Sequence, residues 1–187
     1  MLSNEIVWSK TLLSSYGYLE RLCNGIDKLI EKTAVNSFYS FRNSFDENSI
    51  LGITDNIVRL SNKKIDYINL KIIIEKALKK MSGVGRKIVI LKFVSKLSSS
   101  EICSLLNIST SMLYKKMNRA FKRFYEELDK LGYGQEKLQV TYLEDNFIKS
   151  IYDLVKTKNY DMEEKVKVIT NSSIYKDFDS GLFVKVF

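Results

Sequence analysis

Apolar residues recur at helical intervals over residues 5–35, at Ile6, Leu12, Leu13, Tyr16, Leu19, Leu22, Cys23, Ile26, Leu29 and Ile30. That spacing gathers them on one face of a single long helix, with Gly17 and Gly25 as the points where it is expected to loosen. The next stretch, "NSFYSFRNSFDENS" at 36–49, loses the period and fills with Asn and Ser. These side chains compete with a helix for backbone hydrogen bonds, so a loop is expected there. A second long helix is expected over about 54–81, with Ile57, Leu60, Ile65, Ile68, Ile72 and Leu78 as its apolar positions. Neither helix can bury its stripe alone, which predicts an antiparallel hairpin. Packing within the monomer is favoured over a dimer seam because no strict heptad is sustained.

After "SGVG" the pattern shortens, and helices are expected over 86–96, 99–106 and 110–131. Beyond Gly132-Tyr133-Gly134 two more are expected near 144–157 and 161–170, and the closing "GLFVKVF" reads as strand-like or as a docked tail. The fold class is therefore all-α in three parts: a long N-terminal hairpin (1–82), a compact central segment (83–133) and a small, mostly helical extension (134–187). There is no proline, so Gly, Asn and Ser must set the helix ends.

The central segment carries the densest local signals. Ser98-Ser99-Ser100-Glu101 matches a capping box, in which a serine hydroxyl and a glutamate reciprocally satisfy backbone donors at a helix start. The helix begun there runs to Asn107, a residue that tolerates left-handed backbone, and Ser109 then caps the next helix. Two helices joined by about three residues are a helix-turn-helix candidate. Cys103 supplies a small side chain where the two cross. On a wheel of about 100° per residue, Leu113, Met117, Ala120, Phe121, Phe124, Leu128 and Leu131 share one arc, the expected core face. Ser111, Lys115, Asn118, Arg119 and Lys122 lie opposite, flanked by Lys116 and Arg123 and by Thr110 and Tyr114 at the N-terminal turn.

Charge sharpens this picture. The chain has 187 residues and a formal net charge of +8. Residues 86–133 hold ten Lys/Arg against four Asp/Glu, 1–85 hold twelve against nine, and 134–187 hold eight against nine. Six of the eight net charges thus fall in the central segment, and Glu126, Glu127 and Asp129 come only after the cationic strip ends. A localised positive field on one helix face points to a polyanion, duplex DNA above all.

Other chemistries are poorly served. With no histidine, the commonest general base and metal ligand are missing. Two cysteines cannot complete the usual zinc site or a disulfide framework. "MSGVGRK" lacks the spacing of a phosphate-cradling loop and reads as an interhelical hinge. No catalytic residue, metal site or cofactor is therefore expected. No signal segment stands out, and "KIVILKFV" is too short to cross a bilayer, so a cytoplasmic protein without membrane contact is expected.

The stretch "GRKIVILKFVSKLSSSEICSLLNISTSMLYKKMNRAFKRF" resembles region 4 of the sigma-70 family. The matching positions are Leu97, Ser98, Glu101, Ile102, Leu106, Ile108, Ser109, Leu113, Lys116, Met117, Arg119 and Ala120, with Cys103 in place of an alanine and Asn107 in place of a glycine. The resemblance covers about residues 86–131. The hairpin that precedes it is similar in architecture to small ArpU-like regulators of phages and Gram-positive bacteria, and no acidic, aromatic region 2 helix is apparent.

The resemblance implies promoter-type DNA read in the major groove, with Thr110, Ser111, Tyr114, Lys115 and Asn118 facing base edges. Lys116, Arg119, Lys122 and Arg123 would hold phosphates, as would the backbone amides of Ser99 and Ser100 at a helix start. The expected function is a sequence-specific transcription regulator whose other helices serve homodimerisation or RNA polymerase contact. The alternative is a divergent sigma factor, or an adaptor that grips polymerase or another regulator and does not itself read DNA.

Overall fold

The computed structural model describes residues 3–41, 47–157 and 165–171. Among these residues every regular element is helical: α1 Asn4–Phe41, α2 Glu47–Lys80, α3 Gly83–Val89, α4 Ser99–Leu106, α5 Thr110–Lys130, α6 Gln135–Tyr142 and α7 Asn146–Lys156, with a further helix over 165–171. No helix among the described residues is long and apolar enough to cross a membrane.

The chain groups into two compact units. One contains residues 18–70 and 170–187, and its described part is chiefly the second half of α1 beside the first half of α2. Leu19, Leu22, Ile26 and Leu29 are buried on α1, and Leu60, Tyr67 and Leu70 on α2. The antiparallel register is marked by Lys64, whose Nζ donates to Asp27 Oδ1 at 2.6 Å and whose carbonyl lies 4.0 Å from Cys23 Sγ.

The other unit contains residues 1–17 and 71–169. Its core joins Trp8, Leu12 and Leu13 of α1 to Ile74 of α2, Ile88 of α3, Phe121 and Phe124 of α5, and Phe147, Ile148 and Ile151 of α7. Trp8 is fully buried, with its ring centroid 4.8 Å from that of Tyr152. Small polar residues on the same face of α1 are buried with partners. Ser9 Oγ donates to the Phe121 carbonyl at 2.8 Å, Thr11 Oγ1 to Val7 O at 2.8 Å and Ser15 Oγ to Leu12 O at 2.8 Å. Burying a hydroxyl is tolerable when it is bonded in this way. The first two turns of α1 are thereby tied to the middle of α5.

Several sequence expectations are corrected. α1 runs unbroken through Gly17 and Gly25 and continues to Phe41, and α2 already starts at Glu47, so most of the loop expected at 36–49 is helical; 42–46 lie outside the described residues. In the extension of α1 the Ser37 hydroxyl bonds back to Thr33 O, and near the start of α2 the Thr54 hydroxyl does the same to Ile50 O, which removes their competition with the backbone. On α2 the buried stripe is Leu60, Tyr67, Leu70, Ile73, Ile74 and Leu78, whereas Ile65, Ile68 and Ile72 are exposed and Ile57 is half-buried.

The helix expected over 86–96 starts earlier, at Gly83, and widens into a π turn over Ile90–Val94, with Ser95 N donating to Ile90 O at 2.9 Å. In "SGVG", Gly83 has φ +72, which suits glycine. A Cβ on Gly85 would sit 3.3 Å from Ala120 Cβ, so the two small residues let α3 approach α5 closely. α6 was not expected. The expected helix near 161–170 is described only over 165–171, and the "GLFVKVF" tail lies outside the described residues.

Candidate nucleic-acid interface

The turn between α4 and α5 is built by short-range chemistry. Ser98 Oγ accepts from Glu101 N at 3.3 Å while Ser98 N donates to Glu101 Oε2 at 2.7 Å, a complete capping box. Asn107 ends α4 at φ 49, ψ 52, left-handed backbone that asparagine accepts more readily than most residues. Ser109 Oγ then accepts from Met112 N at 3.3 Å to start α5.

The Ser98 hydrogen bonds hold the Glu101 carboxyl below its usual range, with a smaller contribution from Lys92. A carboxyl lowered on folding adds stability above its unfolded pKa, and that contribution is lost as pH falls through the folded one. The cap should therefore hold at neutral pH and loosen in acid. Ser98→Ala is expected to cost about 1 kcal/mol, the usual value for losing such a cap. Urea melts at neutral pH should register this loss, and the gap between wild type and variant should shrink in acid as pH falls through the lowered Glu101 pKa.

α5 is divided lengthwise. Leu113, Met117, Ala120, Phe121, Phe124 and Leu128 are buried, as the wheel predicts, while Leu131 is half-buried and follows the helix end. Thr110, Ser111, Tyr114, Lys115, Asn118, Arg119, Lys122 and Arg123 are exposed, and Lys116 is half-buried. The base-edge candidates and the phosphate candidates on α5 are thus displayed along one helix outside its core face. Ser99 (half-buried) and Ser100 (exposed) sit on the first turn of α4, where helix geometry leaves their amides without intrahelical acceptors.

Electrostatics separate this strip from the end of the same helix. Lys130 Nζ lies 2.7 Å from Glu127 Oε1, and this carboxylate raises the Lys130 pKa. Burial, reinforced by Asp129, pushes the Tyr125 phenol up, which keeps that group neutral. Among the described residues no carboxylate pairs with Lys115, Lys116, Arg119, Lys122 or Arg123.

Two apolar side chains at the turn escaped the sequence reading. Leu105 is 63% exposed and Met112 48%. The wheel holds the missed signal, since Met112 falls outside the arc that contains Leu113 and Met117.

Residues 71–124 match the family model for sigma-70, region 4. The middle of the chain is therefore a sigma-70 region 4 helix-turn-helix. The match starts in the last turns of α2, ahead of the 86–131 stretch that carries the sequence resemblance, and ends at Phe124 within α5. No curated protein and no solved structure matches the chain.

Proposed function

We propose that the protein is a sequence-specific transcription regulator that binds duplex DNA through α5 and catalyses no reaction. The observation that carries this reading is the strip of five cations, none with a carboxylate partner among the described residues, outside the core face of the second helix of a sigma-70 region 4 fold. An α-helix of this width fits a major groove, where Asn118 can pair with adenine and Lys115 with guanine. Thr110, Ser111 and Tyr114 occupy the N-terminal turn, the part of a recognition helix that meets base edges. Lys116, Arg119, Lys122 and Arg123 would fix the register on phosphates, aided by the Ser99 and Ser100 amides. Met112 offers an apolar contact for a thymine methyl.

Region 4 domains engage DNA and RNA polymerase in general, so polymerase is the expected protein partner. The second reading, a divergent sigma factor or an adaptor that grips polymerase without reading DNA, is favoured by the exposure of Leu105 beside the turn.

The test is selection of bound duplexes from a random pool, followed by affinity measured against salt. A single consensus should emerge. The logarithm of affinity should fall linearly with that of salt, with a slope of roughly −3 to −4 if the four cations Lys116, Arg119, Lys122 and Arg123 each neutralise one phosphate. Copurification with polymerase, with no duplex retained at low salt, would select the adaptor instead.

A further inference from the structure

A second group of cations stands where α2 hands over to α3. From Lys76 to Ser100 the chain holds seven Lys/Arg and no Asp/Glu, and five of the seven fall within 76–87. On a wheel with the buried Ile74 as zero, the buried Leu70, Ala77 and Leu78 fall on one side of α2, while Lys76, Lys79 and Lys80 share an arc of about 100° on the other. All three are exposed, as is Lys87 on α3, and Arg86 beside it is half-buried. The side chains of these five have no hydrogen bond and no ion pair among the described residues. Glu75, the carboxylate next to them in sequence, accepts from the Tyr16 hydroxyl at 2.9 Å.

The helix dipole explains only part of this group. Lys79 and Lys80 close α2, where outward-facing carbonyls favour cations. Lys76 stands a turn earlier, and α3 passes straight into the π turn at Ile90, so Arg86 and Lys87 meet no free helix end. Arg86 points more directly to an anionic ligand. Its Nε is buried without a hydrogen-bond partner among the described residues, an arrangement that is unfavourable for a lone guanidinium and that a charge-assisted contact elsewhere on the same group offsets.

This corner lies beside the strip on α5. A Cβ on Gly85 would sit 3.3 Å from Ala120 Cβ, and Ala120 neighbours both Lys116 and Arg123 on the helix surface, four residues after the one and three before the other. Arg86 and Lys87 follow Gly85 directly, and Lys80, five residues ahead of it, is at most about 18 Å away. A duplex with α5 in its major groove puts a sugar–phosphate ridge at each edge of a channel about 12 Å wide. The ridge on the Lys116–Arg123 flank therefore passes within reach of the corner. Continuity with the α5 strip favours the backbone of that duplex over an acidic protein surface.

We propose that Lys79, Lys80, Arg86 and Lys87 form a second phosphate-binding surface, which grips the duplex backbone outside the recognition helix and adds affinity without reading bases. The proposal rests on DNA binding through α5 and extends that same interface.

Affinity for the selected duplex, measured against salt, tests it by setting wild type beside the triple variant Lys79→Ala, Lys80→Ala and Lys87→Ala. Each lost phosphate contact removes about 0.9 from the slope, so the variant should be shallower by about 2.7. Between about 50 and 200 mM salt, wild type should accordingly lose roughly 40-fold more affinity than the variant. The selected consensus should not change, and circular dichroism should show the same helicity, since all three side chains are exposed. Lys79→Arg, Lys80→Arg and Lys87→Arg together should keep the wild-type slope, because only charge is required. A triple alanine variant with the wild-type slope overturns the proposal and leaves α5 as the reader. An altered consensus overturns it too, since the corner would then be reading bases. A wild-type chain that retains no duplex at low salt removes the α5 reading and this surface with it.

Discussion

Reversing two charges on α5, Lys115→Glu together with Arg119→Glu, is expected to lower duplex DNA affinity by roughly 100-fold while leaving the fold intact. Each position taken singly would cost about 1–3 kcal/mol if it contacts a base edge or a phosphate as assigned. Reversal also adds repulsion to the lost attraction. The fold should survive because both side chains are exposed and have no ion pair among the described residues, and surface substitutions away from caps and cores stay within about 0.5 kcal/mol. Fluorescence anisotropy with the selected duplex, alongside a thermal melt, separates the two effects. Reversing Arg119 should also flatten the salt slope by about one phosphate. Unchanged affinity with an unchanged melt would remove α5 as the reading surface.

The largest effect on stability is expected at the other end of the chain. Trp8→Ala should cost about 3–5 kcal/mol, the range for truncating a large buried aromatic, out of a total that is typically about 5–15 kcal/mol. Trp8 is fully buried against Tyr152, one turn's reach from the Ser9 bond to the Phe121 carbonyl. The loss should therefore undermine the support of α5 as well as the docking of α7. Trp8→Phe should be much milder. The indole Nε1 is buried without a hydrogen-bond partner among the described residues, so phenylalanine removes an unsatisfied donor along with some volume. Urea denaturation followed by circular dichroism measures both variants, and an order reversed from Ala to Phe would refute this account of the site. Trp8 is also the sole tryptophan, so wild-type unfolding can be followed by its emission.

The features legible in the sequence are those written within about four residues. The capping box, the left-handed Asn107, the Ser109 cap and the buried arc of α5 each depend on neighbours along one helix or turn, and the structure has them at the expected residues. The exposure of the strip followed from the same wheel. What was lost involved distant partners or overlaid signals. Nothing near Trp8 announces Tyr152, because their contact depends on how α1 and α7 fold together. α6 buries only Leu138 and Tyr142, two residues four apart, too few to make a period stand out.

On α2 two apolar stripes lie on opposite sides of one helix. Counted together they blur each other, so an apolar count assigns Ile65 and Ile68 to the core although both are exposed. The Asn/Ser-rich stretch after residue 35 misled in the other direction, since composition cannot tell a hydroxyl that bonds back to its own helix, as Ser37 does, from one that breaks it.

The lengthwise division of α5 also bears on how such a protein can diverge. Ala120 is pressed against Gly85 and Phe121 and Phe124 are sealed in the interior, so that half of the helix admits almost no change. The half bearing Ser111, Lys115 and Asn118 is exposed, and exposed positions tolerate substitution far better than packed ones. If α5 reads DNA as proposed, new binding preferences can accumulate there one substitution at a time, at little risk to folding, which leaves a lineage free to retarget the helix while inheriting the frame.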